Sequence, residues 1–324
     1  MKVLVTGGAG YIGCHTLRLL RRAGHQPVVL DNFSTGRRET VRGEEVIEAD
    51  LGNRQALGEA FGRHPFQAVL HFASLIQVGE SHSDPQKYYR HNLVNGLNLL
   101  EAMLAAGVKK LIFSSSAAVY GVPRQNPVTE SHPLQPVNPY GQTKYFLEKI
   151  LQEYDRAYGL RSISLRYFNA AGADPEGGLG ERHEPETHLI PNILNAVLGR
   201  RDRLELFGTD FETPDGTAIR DYIHVTDLAE AHVLALERLA AGGGTDAFNL
   251  GTNQAYSVME IIKKAEQVTG RKVAYSACPR RQGDVPVLVA SKDKAVAQLG
   301  WRLRYSDLET ILRTAWAWHQ SLEK

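Results

Sequence analysis

The residues best suited to chemistry in this chain are Asn138, Pro139, Tyr140 and Lys144. They read as an N-cap, an N1 proline and the first turn of a helix, and the four-residue interval puts Tyr140 and Lys144 on one helical face. A phenol with an ordinary pKa of about 10 is a poor base at neutral pH, but a neighbouring ammonium and a second cation would favour the phenolate. Tyr140 is then a candidate general base. Taken alone, such a pair is more often a surface contact. Ser114, Ser115 and Ser116 change the balance, because they end an apolar run, and the carboxyl ends of parallel strands face the ligand crevice of an α/β sheet. The chemistry implied is proton transfer to and from a hydroxyl.

A second group is Thr6, Gly7, Gly8, Ala9, Gly10, Tyr11, Ile12, Gly13, directly after Val3, Leu4 and Val5. Glycines 7, 10 and 13 permit a tight turn, close approach of backbone N–H groups to a pyrophosphate, and packing of the following helix on the strand. This spacing varies the dinucleotide fingerprint, and its place at the first strand-to-helix junction gives it weight. Asp31 ends the second apolar run, where a carboxylate can accept from adenosine ribose hydroxyls. Arg37 and Arg38 lie nearby, yet Asp31 would repel a 2′-phosphate, so NAD is expected over NADP. Asp50 and Leu51 end the third run and fit the adenine edge. A helix N-cap at Asp50 and a core role for Leu51 are equally consistent readings.

The elements that must carry these groups follow from hydrophobic periodicity. Apolar runs at 2–6, 27–30, 44–49, 67–72, 109–114 and 161–167 alternate with helical stretches. Several are continuously apolar, which suits strands buried on both faces. The expected class is therefore α/β: a Rossmann-type doubly wound parallel sheet in residues 1–172, with a smaller α+β substrate-binding lobe in 173–324. Residues 220–250 are ambiguous, since Thr226 can N-cap a helix running to Leu239 and Phe248, Asn249, Leu250 resemble a strand of the first lobe.

Length and composition agree with that plan. A chain of 324 residues, 43% hydrophobic and 23% charged, is an ordinary globular protein of two domains or one large unit. A net charge of +1 leaves no long-range field for nucleic acid or an anionic membrane. Two cysteines, Cys14 and Cys278, make neither a disulfide framework nor a CxxC site, so no metal is expected, and a reducing cytoplasm is. There is no apolar stretch of membrane-spanning length.

The combination of TGGAGYIG at 6–13, a serine-bearing strand and a YxxxK helix resembles the extended short-chain dehydrogenase/reductase superfamily. Within it the chain is similar to the UDP-glucose 4-epimerases over nearly its whole length. The matching runs are DNFSTG (31–36), HFASLIQVGES (71–81), SSSAAVYG (114–121), NPYGQTK (138–144), RYFNAAGA (166–173), HLIPNIL (188–194), RDYIHVTDLA (220–229) and RRQGD (280–284). The resemblance implies that Ser116 binds the sugar 4-hydroxyl, Tyr140 is the base and Lys144 holds the nicotinamide ribose. It further implies that Tyr11, Ile12, Asn32, Phe72, Ala73, Asn92, Ser114 and Tyr167 line the NAD site. Ile76 stands where some relatives have Lys, so one cofactor contact is lost or replaced.

The implied reaction is reversible C4 epimerisation of UDP-glucose and UDP-galactose through a 4-keto sugar, with tightly bound NAD and no outside reductant. Such a reaction needs an anchored uridine diphosphate. By resemblance Arg220 and Arg281 meet the diphosphate, Asn169 and Asp284 phosphate and uridine ribose, Phe207 the uracil, His188 the substrate, and Leu288 the sugar pocket. Taken bottom-up, each has a plainer role: Arg220 pairing with Asp221, Phe207 and Leu288 as core, His188 as a structural histidine. A nucleotide-hexose 4,6-dehydratase is disfavoured, because Ala117 and Ala118 stand where its acid pair belongs. An epimerase of UDP-N-acetylglucosamine or UDP-glucuronate and a non-catalytic NAD sensor remain alternatives. A homodimer is expected through helices near 92–106 and 144–158, with Leu93, Leu97, Leu100 and Leu104 in one stripe and Leu99 and Met103 in another.

Overall fold

The computed structural model describes residues 1–281 and 283–322, so Gln282 of the 280–284 run lies outside the described residues. The first part runs β1 (Lys2–Thr6), α1 (Tyr11–Arg22), β2 (Gln26–Asp31), β3 (Glu45–Glu48), α2 (Arg54–Arg63) and β4 (Ala68–His71). Short helices α3 (Val78–Ser83) and α4 (Pro85–Tyr88) and a π-helical turn lead into α5 (Asn95–Ala105), then β5 (Lys110–Ser116), α6 (Pro139–Tyr158) and β6 (Arg161–Tyr167). The rest comprises β7 (Asn169–Ala171), α7 (Leu189–Val197), β8 (Leu204–Phe207), β9 (Ile219–Arg220), β10 (Tyr222–His224), α8 (Val225–Ala240) and β11 (Asp246–Leu250). Last come β12 (Tyr256–Ser257), α9 (Val258–Thr269), β13 (Tyr275–Cys278), β14 (Val287–Leu288), α10 (Asp293–Leu299) and α11 (Leu308–Ser321).

Seven parallel strands form the main sheet in the order β11-β6-β5-β4-β1-β2-β3. Alternate residues of each run feed different cores, which explains why the runs show no polar alternation. Val3, Val5, Val29, Leu70, Ile112 and Ile163 face α1 and α8, whereas Leu4, Val28, Leu30, Val69, Leu111 and Phe113 face α2, α5 and α6. The chain leaves β1 toward both sheet edges, so the switch point and its crevice lie at the carboxyl ends of β1 and β4.

The ambiguous segment returns to this sheet. β11 pairs with β6 through Asp246 to Leu250, and Leu228, Ala231, Ala235 and Leu236 of α8 join the core that contains Leu17 and Leu20 of α1. The cap of α8 is His224 rather than Thr226: the imidazole Nδ1 accepts from the Thr226 N–H at 3.1 Å, a lone pair doing the work of a hydroxyl oxygen. Ala295, Leu299 and Trp301 also belong to the first core, so the second lobe is not the whole of 173–324. That lobe has its own core, from Ile190, Ile193, Leu204, Ile261, Ile262, Ile311 and Leu312. The parallel pair β7 and β10 links the two.

Candidate active site

The glycine turn is packed against the loop after β4. Gly7 has φ +72°, and a Cβ there would lie 2.5 Å from the Ala73 nitrogen; a Cβ on Gly13 would lie 2.5 Å from the Gly7 oxygen. Gly10 is different, since a Cβ would meet only the Gly7 oxygen at 3.3 Å. It begins α1 with no side-chain cap, which leaves first-turn N–H groups for an anion. Ile12 packs on the first core, and the Tyr11 hydroxyl donates to the Gly172 carbonyl at 2.7 Å.

Asp31 is buried and accepts from the Ala9 N–H at 2.9 Å and the Phe33 N–H at 2.8 Å. Burial raises its pKa, with those N–H groups opposing. Arg37 turns to Glu184 at 3.3 Å and Arg38 to Glu48 at 2.5 Å, so no guanidinium stands on Asp31 to welcome a 2′-phosphate. Asn32 donates to Asp50 at 2.6 Å. Asp50 is not the helix cap: Asn53 is, accepting from the Ala56 N–H at 3.1 Å. Leu51 points into the core beneath. These are the donors and cradle that an adenosine diphosphate needs.

Phe72 and Ala73 both donate their N–H to the Thr6 carbonyl. Asn92 accepts from the Leu75 N–H at 2.8 Å and donates to the Leu75 carbonyl at 2.9 Å. Its amide therefore clamps the loop that lines the crevice. Ile76 on that loop is exposed.

At the end of β5, Ser116 accepts from the Ala118 N–H at 3.1 Å, and Asn138 caps α6 at the Gly141 N–H, 2.7 Å away. Tyr140 is 8% exposed. Burial raises its pKa, and the Ser116 hydroxyl works in the opposite direction. The Lys144 ammonium lies 5.8 Å from the Tyr140 ring centroid and donates to the Ser114 carbonyl at 2.8 Å. Burial pushes Lys144 down to about 7, with Glu148 partly restoring it. Ser114 is hydrogen-bonded to the Tyr167 hydroxyl.

Behind these groups lies a buried network that sequence reasoning missed. Glu148 pairs with Arg166 at 2.5 Å and accepts from Ser115 at 2.5 Å. Arg166 donates to the Tyr120 hydroxyl at 2.9 Å, which donates to Asn249 at 2.6 Å. The only signal was position, Glu148 lying one turn beyond Lys144 on the same face.

In the second lobe, Phe207, Arg220, Arg281 and Asp284 come together. Arg281 lies 3.1 Å from Asp284 and 5.2 Å over the Phe207 ring, and Arg220 is 3.9 Å from Asp284. Arg220 does not pair with Asp221, whose carboxylate accepts from Thr252 and Ala290. Burial lowers the pKa of Arg220, and Asp284 opposes this; the cation is desolvated and incompletely paired. Asn169 donates to the Asp221 carbonyl at 2.8 Å. Leu288 sits opposite Arg220 in the β14–β9 pair and packs near Val119 and Tyr120. His188 precedes α7 with its Nδ1 2.6 Å from Glu181.

Residues 3–251 match the NAD dependent epimerase/dehydratase family. Across 98% of its length the chain is 51% identical to the UDP-glucose 4-epimerase of Rhizobium leguminosarum bv. trifolii, covering 97% of that protein. The crystal structure of UDP-glucose 4-epimerase from Brucella ovis in complex with NAD superposes with a TM-score of 0.95 at 51% identity, over 98% of this chain and 97% of that one. The enzyme from Bifidobacterium longum in complex with NAD+ and UDP gives 0.95 at 36% identity, over 99% and 98%. Fold, crevice and full-length similarity agree: the chain belongs to the NAD dependent epimerase/dehydratase family, among its UDP-glucose 4-epimerases.

Proposed function

We propose that the protein interconverts UDP-glucose and UDP-galactose at C4 of the sugar, with NAD held on the first lobe. The observation that carries this reading is the set Ser116, Tyr140 and Lys144 at the end of β5, beside a glycine turn with space over Gly10. The cradle fits a dinucleotide: α1 directs uncapped N–H groups at a pyrophosphate, and Asp31 and Asp50 offer carboxylates to hydroxyl or amino donors. NAD, when bound, supplies a reversible hydride acceptor for the sugar carbon. Tyr140 removes the 4-hydroxyl proton and later returns it, Ser116 orients that hydroxyl, and Lys144 holds a ribose and supplies positive charge. Arg220, Arg281, Asn169, Asp284 and Phe207 keep the uridine diphosphate fixed while the sugar turns, since a guanidinium fork matches a phosphate edge. His188 and Leu288 border the sugar. Ala117 and Ala118 supply no acid or base, which speaks against dehydration.

The protein is proposed to work as a homodimer in the cytoplasm. Val94, Phe146 and Tyr158 are exposed on or beside α5 and α6, a face of the kind that a second copy covers. Cys14 and Cys278 are both free thiols, and among the described residues no helix is long and apolar enough to cross a membrane. Incubation of the purified protein with UDP-galactose alone should yield UDP-glucose, and denatured protein should release NAD. Conversion strictly dependent on added NADPH, or no conversion with NAD supplied, would overturn the reading.

A further inference from the structure

Residues between β7 and α7 gather a side-chain cluster of which the proposed reaction calls on His188 alone. Glu181, His183, Glu186 and His188 each offer one ligand atom, and these atoms all lie within 4.8 Å of one another. Glu181 is 3.3 Å from His183 Nδ1 and 2.6 Å from His188 Nδ1. Glu186 is 3.7 Å from His183 Nδ1 and 3.6 Å from His188 Nδ1. Donors around a tetrahedral ion with bonds of about 2.1 Å stand about 3.4 Å apart. We propose that these four side chains form a binding site for one first-row divalent cation of the zinc type.

A second observation favours a site over an ion-pair cluster. Glu181 is 3% exposed, yet its Oε1 has no hydrogen-bond partner, and neither has His183 Nδ1. Atoms this close without hydrogen-bond alignment have their lone pairs converging on shared space, which is how ligands face an ion. The surroundings hold them there. Trp318 donates to the Glu181 carbonyl at 2.9 Å, and its ring lies so close to Gly180 that a Cβ there would clash. The Thr187 and His188 N–H groups fix the Glu186 carboxylate, both at 2.9 Å. Such partners orient ligands as outer-shell groups do.

The donor set selects the ion. Two imidazole nitrogens and two carboxylate oxygens suit zinc and its neighbours, whereas magnesium prefers oxygen and retained water. Ligand imidazoles must be neutral, so any protons they carry leave as the cation enters. No cysteine takes part, which is why an argument from cysteine count does not reach this site. The ion would tie the 181–188 segment to the first turn of α7 and, through the His183 ring 6.4 Å from Tyr11, to the glycine turn. The site stands whether or not the epimerase reading does.

The test is metal content of the intact protein, equilibrated with micromolar zinc chloride and then dialysed against metal-free buffer. The unmodified chain should retain about one zinc per chain and none of an equal dose of magnesium. Glu181→Gln and His183→Ala should each weaken zinc by more than the ~10–100-fold typical of losing an outer-shell partner. Glu184→Gln, an exposed carboxylate outside the cluster, should retain zinc fully. If Glu181→Gln does not fold, His183, whose side chain is 22% exposed against 4% for Glu181, still provides the comparison. Absence of retained zinc in the unmodified protein, or equal retention in His183→Ala, would overturn the proposal.

Discussion

Tyr140 and Glu148 test the site at opposite distances from the reacting atoms. Tyr140→Phe should retain NAD and uridine diphosphate while turnover falls about 10²–10⁴-fold, the range for losing a general base; unchanged turnover would remove the phenol from the mechanism. Glu148→Gln should be strongly destabilising in urea titration, by about 3–5 kcal/mol, because it strands the buried Arg166 guanidinium. Replacing both partners with apolar residues should recover much of that stability, yet turnover should stay low because Lys144 loses the charge that raises its pKa. On the proposed placement of Leu288 beside the sugar, Leu288→Ser should raise activity on UDP-N-acetylglucosamine relative to UDP-glucose, since relieving overpacking of roughly 1–3 kcal/mol corresponds to about 5- to 150-fold. An unchanged ratio would show that Leu288 does not set scope. Helix period set Tyr140 and Lys144 on one face and the apolar run set Ser114 to Ser116 at a strand end, while Ser116 was singled out by the family resemblance. Glu148 was not legible, because a charge inside a core is meaningful only once its partner from a distant strand is known, and Asn92 was named through the family resemblance alone. For Arg220 only the plainer alternative fails: its neighbour Asp221 turns the other way, toward Thr252.

The strand-to-helix turn separates two effects that glycine combines. Gly7→Ala faces both a left-handed φ and the Ala73 backbone, so it should lower thermal stability and NAD binding together. Gly10→Ala meets little in the protein but fills the cradle, so it should fold normally and lose NAD affinity by calorimetry; undiminished affinity would put the pyrophosphate elsewhere. Long apolar strands were legible to within a residue or two. β7 and β10 were not, because a three-residue strand has no period to detect. The α5 stripes were also divided wrongly: Leu99, Leu100 and Met103 all enter the core, with Leu93 and Leu104 at its margin, since a helix wedged between sheet and neighbour buries a broader arc than one stripe.

Among the described residues, five deeply buried histidines are held neutral by burial: His15, His232 and His319 down to about 4, and His71 and His224 to about 3. The unfolded chain protonates them near 6.5, so stability should fall as pH drops below that value and continue falling to about 4. Each contributes about 1.4 kcal/mol per pH unit at most, roughly 7 together. Asp221, raised to about 6, offsets one of them between about 4 and 6. His183 and His188, both raised, act oppositely: their contribution is full below 6.5, and that of His183 is lost as pH rises through about 10. A melting temperature that stays flat between pH 6.5 and 4.5 would contradict this. The return of α8 and β11 to the first lobe carries a different consequence, for the order of assembly. A nascent chain that has emerged only as far as residue 172 has α1 without the helix that covers it, and β6 as an open edge able to pair with another chain. The first lobe cannot close until much of the second has been synthesised, so the sequence defines two lobes but one folding unit. A fragment of residues 1–172 should aggregate rather than bind NAD, and the intact protein should unfold in a single transition.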